Sequence, residues 1–580
     1  MRRGETVTGA PCPGTAADGD GVINKGYADL PWGQVHFRVA GSGPPVVLLH
    51  DSPRSSVLHE PLIETLAERW TAIALDTPGY GNSDPLATGA PDIGDLADAL
   101  AATLDALGLP PCPVYGYHTS SKIALELAVR HPGRASLIVM DGLSVPAEPV
   151  SDAFIERYMA PFRVTGDGAY LASTWARVRD LHRFFPWFSH TAGHRLAMEL
   201  PAPDALHRYA LDLLMAGSDY AAAYAAAMRY DPVPALGRLT DPAVVMCRRD
   251  DVLCAHLERL PERLADGVLR EALPADRNVW QDRLRELFAN HGDYVAGVRL
   301  PGGIDAGAGG TARHAYWQPR AGEQLRLRLT GRPSRHAPVL LLPELPGSAA
   351  SAAPLADALA ADRPTLTPDP PGCGESSPAA EATPEHFAAD LLRLLEELGW
   401  PRVDVVTTFT AAPVALALAR AGGGRVGRIV FEGILLAGEA EREELAADYC
   451  IPLTPRRDGA HLLAAWTMLR DRELNWPWYA GSTASIRRRT PDLDPERLHA
   501  QTLDLLRQPD AYGALAAGCL RRDVAAALPA LEQAALFIAE ADDVRDRDTR
   551  RAAELCPRAM LAEAGPGAHA RAGIIRSFLD

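Results

Sequence analysis

The chain has 580 residues, of which 47% are hydrophobic, 23% charged and 6% aromatic. That is the composition of a folded globular protein with enough apolar material for more than one core, and it excludes a disordered, collagenous or membrane-spanning chain for the bulk of the sequence. The 58 basic against 74 acidic residues leave a formal net charge of −16, so nucleic acid and anionic membrane surfaces are not expected partners.

Residues 1–21 carry no periodic apolar pattern and are expected to be disordered. Two arginines follow Met1, but no apolar run stands behind them, and nowhere do 18 apolar residues run uninterrupted; a cytoplasmic location is expected. From residue 22 onward, short apolar runs (Val46–Leu49, Thr71–Leu75, Leu137–Met140) alternate with segments of helical period (Ile93–Leu107, Ile123–Val129). Such runs, bounded by Gly and Pro, predict buried parallel strands joined by crossover helices, an α/β doubly wound sheet. Between about 146 and 235 the strand signal gives way to Trp-, Arg- and Ala-rich helical sequence, which predicts an inserted helical cap. A Gly-rich stretch at 298–312 has the composition of a linker.

Beyond it the pattern begins again. Val46-Val-Leu-Leu-His50-Asp-Ser-Pro recurs as Val339-Leu-Leu-Leu-Pro343-Glu-Leu-Pro, and Asp76-Thr-Pro-Gly-Tyr-Gly-Asn-Ser83 as Asp369-Pro-Pro-Gly-Cys-Gly-Glu-Ser376, both 293 residues later. In the cap, Trp175, Arg179, Asp180, Pro186 and Trp187 return as Trp466, Arg470, Asp471, Pro477 and Trp478 at a shift of 291. The chain therefore reads as two tandem domains, 22–297 and 313–580, the second with its own cap at about 437–528. The pair resembles a homodimer fused in one chain. The eight cysteines are scattered without a CxxC pair and are expected to be reduced and buried.

Taken together, the motifs resemble those of the capped α/β-hydrolase-fold proteins, the branch that includes haloalkane dehalogenases and epoxide hydrolases. The resemblance covers nearly the whole chain. It implies an oxyanion loop at Leu-Leu-His50-Asp-Ser52-Pro and a nucleophile elbow at Gly116-Tyr117-His118-Thr119-Ser120, where one side chain is lifted above the sheet and the next backbone N–H faces a developing oxyanion. It also implies an acid after the seventh strand, Asp250 in copy one and Asp542 in copy two, with Asp141 and Glu432 as alternatives after the sixth.

Each copy departs from the pattern at a different place. In copy one the nucleophile's position holds His118, and the loop histidine is missing from Leu273-Pro-Ala-Asp276-Arg277; copy two keeps His569 but has Phe409 at its elbow. Serine acyl transfer needs a hydroxyl, a base and an orienting acid, and neither copy retains all three. The remaining chemistry is a relocated dyad, His118 with Asp250 or Asp141, acting as general base on a small, largely apolar carbonyl or ester metabolite. Ser52 and the Thr119 N–H would face an oxyanion, and Tyr117 and Trp175 would bind substrate. Elimination, C–C cleavage, cyclisation and hydrolysis all fit; a step in specialised metabolism is a guess by association. Phe409, Asp542 and His569 would be vestigial, and copy two a pseudo-enzyme. Lys122 is expected on the solvent face of the helix after the elbow. No nucleotide, flavin or pyridoxal motif and no tight His/Cys cluster is present, so neither cofactor nor metal is expected. The competing reading is a non-catalytic ligand-binding or scaffold protein with two degenerate hydrolase domains.

Overall fold

The computed structural model describes residues 22–218, 220–291, 300, 304, 312–565 and 567–580; the expected disordered N-terminus and most of the expected linker lie outside them. Eight strands form the first sheet: Asn24–Leu30 (β1), Gly33–Ala40 (β2), Pro45–Leu49 (β3), Thr71–Leu75 (β4), Cys112–Tyr117 (β5), Ala135–Asp141 (β6), Ala243–Arg248 (β7) and Val268–Leu273 (β8). Their order is β1-β2-β4-β3-β5-β6-β7-β8, antiparallel at the β1–β2 and β2–β4 steps and parallel from β4 to β8.

The second sheet holds Arg313–Arg320 (β9), Glu323–Thr330 (β10), Val339–Leu342 (β11), Thr365–Pro368 (β12), Val403–Thr408 (β13), Val426–Glu432 (β14), Ala535–Ala539 (β15) and Ala559–Glu563 (β16). Read from β9, its order β9-β10-β12-β11-β13-β14-β15-β16 is that of the first sheet strand for strand. The sequence repeat is thus a repeat of topology. The central strands β3 and β4 are buried at every residue, because crossover helices cover both faces of a parallel sheet. The helix Arg277–His291, which follows β8, buries Trp280, Leu284, Leu287 and Phe288, an i, i+4, i+7, i+8 stripe packed against Leu48, Tyr115 and Met246. Each such side chain contributes about 1.5–3 kcal/mol by leaving water.

By residue contacts the chain divides into two compact units. One comprises 1–163, 177–200 and 208–303, the other 164–176, 201–207 and 304–580. Two short pieces of the first cap therefore belong to the second unit, which differs from a simple division at the linker. The cap of the first repeat is helical, with Asp152–Tyr158, Ala169–Leu181, Pro203–Met215 and Ala221–Arg229. No helix among the described residues is long and apolar enough to cross a membrane, and the seven described cysteines are free, five of them buried.

The repeated Asp-x-Pro-Gly motif has a structural task. Asp76 accepts hydrogen bonds from the backbone N–H of Ser56 (2.6 Å) and Asn82 (2.9 Å) and from His36 Nδ1 (2.8 Å), tying the turn after β4 to the loop after β3. Asp369 does the same through the N–H groups of Ala349 and Glu375. Gly81 is required there: its φ is +56°, and a Cβ would lie 2.2 Å from Asp76 Oδ2.

Candidate active site

The end of β5 and the start of the helix Thr119–Arg130 meet at His118, whose φ of 49° and ψ of −109° form the strained turn of an elbow. A non-glycine residue in this region costs about 1–3 kcal/mol. Phe409, between β13 and its helix, has φ 44°, so the strain belongs to the fold of both repeats rather than to the imidazole. Gly116 lets the chain cross itself: a Cβ there would meet Ser120 O at 2.4 Å. Gly142, just after β6, makes room for the ring, since a Cβ would lie 2.4 Å from His118 Cδ2 and 2.9 Å from Nε2.

His118 Nε2 lies 2.9 Å from Asp251 Oδ2. The acid is thus Asp251, not Asp250 as the sequence suggested. In the turn after β7, Asp250 is 48% exposed and pairs loosely with Arg248, whereas Asp251 is 6% exposed. Asp141 is not the partner either: its Oδ2 accepts from Tyr115 OH (2.8 Å) and Trp280 Nε1 (2.7 Å), and burial pushes its carboxyl up to about 6. Burial disfavours a charged imidazole at 118, but the hydrogen bond and charge of Asp251 outweigh it and hold His118 above its ordinary value. Burial likewise opposes ionisation of Asp251, and the bonded imidazole more than offsets it, holding the carboxyl below its ordinary value. Tyr117 stacks on the His118 ring, with centroids 4.0 Å apart, and its hydroxyl donates to Asp251 at 3.3 Å. Tyr117 therefore orients the dyad.

The oxyanion loop departs from expectation. The Ser52 N–H donates to Thr119 Oγ1 at 2.8 Å, and that hydroxyl donates on to Ser52 Oγ at 3.1 Å. In the second repeat the Leu345 N–H donates to Thr410 Oγ1, also at 2.8 Å. The loop donor expected to hold an oxyanion is occupied by a threonine in both. Nearby hydroxyls are committed too, since Ser120 donates to His50 O and Ser121 to His118 O. Trp175 is not a pocket residue: it belongs to the second compact unit, where it is buried, its indole N–H donates to Arg457 O at 3.2 Å, and its ring fills the place a Cβ of Gly459 would take. Lys122, expected on the surface, is buried and donates from Nζ to Ala227 O (2.7 Å) and Tyr230 O (2.9 Å), capping the C-terminal carbonyls of the helix Ala221–Arg229.

In the second repeat the elbow side chain is apolar and packed. Phe409 is buried edge-on to Trp476 with centroids 4.7 Å apart. The inward acid is Asp543, ion-paired to Arg487 (2.7 Å), Arg489 (3.1 Å) and Arg545 (3.1 Å). Asp542 and His569 are both exposed and form no acid–base pair among the described residues. Two carboxylate–histidine clusters, Glu323/His386/Asp390 and His336/Asp362/Asp580, are already bound to Arg320, Arg393 and Arg363, which is the chemistry of ion pairs rather than of a cation site.

The aligned pair Asp51 and Glu344 puts an acid at the same point of the oxyanion loop in both copies.

A duplicated, capped sheet with a strained elbow after the fifth strand defines an α/β-hydrolase-type protein. The sequence matches the family described as α/β hydrolase fold over residues 44–264 and 337–451, more than half the chain, and the protein belongs to that family. It is 26% identical over 259 residues to a putative carbamate hydrolase RutD of Caulobacter sp. strain K31, covering 43% of this chain and 88% of that one. It is also 26% identical over 245 residues to a 2-hydroxy-6-oxononadienedioate/2-hydroxy-6-oxononatrienedioate hydrolase of Dechloromonas aromatica, covering 40% and 77%. Of the RutD protein of Caulobacter vibrioides the chain spans about half the length, 52%, at 30% identity. Among solved structures, E-2-(acetamidomethylene)succinate hydrolase is 20% identical with a TM-score of 0.35, covering 46% of this chain and 96% of that one. The relatives named here are hydrolases.

Proposed function

We propose that the first repeat is a cofactor-independent enzyme in which His118, paired with Asp251, is the general base for a small, largely apolar carbonyl or ester compound, and that the second repeat is a pseudo-enzyme. The observation that carries this is the 2.9 Å hydrogen bond between His118 Nε2 and Asp251, on a ring that keeps 21% of its surface open. With Nε2 committed to Asp251, Nδ1 is the nitrogen left to exchange a proton with a ligand. A carboxylate partner fixes the tautomer and raises basicity, which suits proton abstraction near neutral pH. Among lyase-, cyclase- and hydrolase-type steps, the Thr119 hydroxyl on the Ser52 N–H favours proton transfer at carbon over a tetrahedral oxyanion, because the loop donor that would stabilise the latter is already satisfied.

The second repeat has no ionisable group at its elbow, and its acid is neutralised by three arginines, so it has nothing with which to move a proton. The test is His118→Gln assayed over a panel of esters, β-hydroxy ketones and β-diketones. The expected result is a loss of turnover of about 10²- to 10⁴-fold with an unchanged unfolding transition. A binding protein without turnover is the competing reading, favoured by the threonine-filled loops in both repeats. It prevails if wild type turns over none of these compounds while retaining affinity for one, or if the variant is as active as wild type.

A further inference from the structure

The two caps fold alike around their aromatic residues. In the first repeat a short hairpin is closed by an antiparallel bridge from Phe184 to Arg195, with the Phe185 N–H donating to His194 O and the Leu196 N–H to Arg183 O, both at 2.9 Å. In the second, 291 residues on, the bridge runs from Asn475 to Ile486, and the Trp476 and Arg487 N–H groups donate to Ser485 O and Leu474 O, both at 2.8 Å. An indole fixes each hairpin to the end of its first cap helix, Trp187 Nε1 to Tyr158 O and Trp478 Nε1 to Tyr449 O, again both at 2.8 Å. The residue after the bridge rests on the matching tyrosine: Phe185 on Tyr158 with centroids 5.9 Å apart, Trp476 on Tyr449 at 5.2 Å. The acid loops match as well. The Leu253 N–H donates to Asp251 Oδ1 (2.8 Å) as the Arg545 N–H does to Asp543 Oδ1 (3.0 Å).

On this shared scaffold the contents of the elbow differ. The Phe409 ring has Trp476 edge-on at 4.7 Å and the Arg545 guanidinium over it at 4.6 Å. It is a phenyl group seated between cap hairpin and acid loop. At the same elbow position in the first repeat, with φ 49° against 44°, His118 is drawn toward Asp251 and stacks on Tyr117. Phe185, in the register of Trp476, has Tyr158 as its one ring neighbour among the described residues and is 52% exposed, whereas Trp476 is half-buried. Leu253 stands in the register of Arg545, so the wall opposite is apolar. A phenylalanine left in water at this point forgoes burial and ring contact that a ligand can restore.

We propose that the first repeat binds the aryl group of an arylalkyl carbonyl compound in the place that Phe409 fills in the second, edge-on to Phe185 and flanked by Leu253, and that Phe185 is the residue that selects it. The second repeat carries as a side chain the phenyl group that the first takes from solution. This rests on the elbow of the first repeat being the substrate site, as proposed above, and not on the direction of proton transfer at His118.

The probes are 4-phenylbutan-2-one and its saturated counterpart 4-cyclohexylbutan-2-one, titrated into the full chain by calorimetry or ligand-observed NMR. The cyclohexyl ketone is the more apolar of the two, so burial alone would favour it, whereas ring–ring contact favours phenyl. Wild type is expected to prefer the phenyl ketone by about 2- to 10-fold. Phe185→Leu should lose that preference with an unchanged unfolding transition, and Phe185→Trp should keep it. His118→Phe, which installs the second repeat's elbow ring, should abolish binding of the phenyl ketone. Equal affinities or a cyclohexyl preference in wild type, no binding of either ketone at millimolar concentration, an undiminished preference in Phe185→Leu, a destabilised Phe185→Leu, or wild-type affinity in His118→Phe would each overturn the proposal. His118→Gln should keep the phenyl preference, so a failed aryl site and a failed base give different results.

Discussion

Gly142 and Gly433 occupy the same place in the two repeats, and replacing each by alanine separates the strain of the turn from the seating of the imidazole. Gly142 has φ +67° and Gly433 φ +75°, so either alanine pays about 1–2 kcal/mol for a left-handed conformation. The difference lies in what the new methyl meets. At Gly433 it would stand 3.7 Å from Phe409 Cδ2, an ordinary contact. At Gly142 it would stand 2.4 Å from His118 Cδ2, more than about 1 Å inside the usual carbon–carbon separation. The ring must swing away, and with it goes the 2.9 Å bond to Asp251, a charge-assisted contact worth about 1.5–3 kcal/mol. Gly142→Ala should therefore cost about 2.5–5 kcal/mol against about 1–2 for Gly433→Ala, read by chemical denaturation. In Gly142→Ala the His118 ring signals should titrate at lower pH than in wild type, while Gly433→Ala leaves them unmoved. Equal losses in the two variants, or an unshifted His118 titration in Gly142→Ala, would show that the ring is not held as described.

The same pair sets a pH window. Because His118 is held above its ordinary 6.5 and Asp251 below its ordinary 3.8, their contribution to stability is full between those two values. It fades as pH rises through the raised His118 midpoint, and again as pH falls through the depressed Asp251 midpoint; melting temperature against pH should lose this shape in His118→Gln. Lys122 acts in the opposite sense. Burial lowers it from 10.5 to about 8, so the folded state releases the proton first and stability gains with rising pH between those values, a slope that Lys122→Met should flatten in denaturation curves. Asp543→Ala leaves three buried or half-buried guanidinium groups facing one another and should destabilise the second unit by about 3–5 kcal/mol. Turnover is expected to survive where the fold does, and calorimetric unfolding with a parallel activity assay checks both.

Much of the architecture is legible in the sequence. Apolar runs such as Val46–Leu49 and Thr71–Leu75 can be nothing but buried strands in a chain with this punctuation, and the register of 291 to 293 residues between the copies required that whatever fold one half adopts, the other adopts too. The replacement of the elbow residue by His118 and Phe409 was equally plain, because the motif around it is local and survives in order. The repeat also sets Asp51 and Glu344 at the same position of the two copies.

What remained for the tertiary structure was every question of direction. Asp250 and Asp251 are neighbours of identical chemistry, and only the path of the chain leaving β7 turns one inward to His118 and the other to solvent. Lys122 looked like a surface residue until the helix Ala221–Arg229 brought its carbonyls over it, and Trp175 looked like a pocket wall until its indole was found on Arg457. The Ser52 N–H met Thr119 Oγ1 across 67 residues of chain, a contact no spacing rule contains. Local sequence determines which conformations a segment can adopt and which groups it carries. Which of those groups face one another depends on packing between segments remote in sequence, and hydrogen bonds and charge pairs are decided over a few tenths of an ångström once that packing is complete.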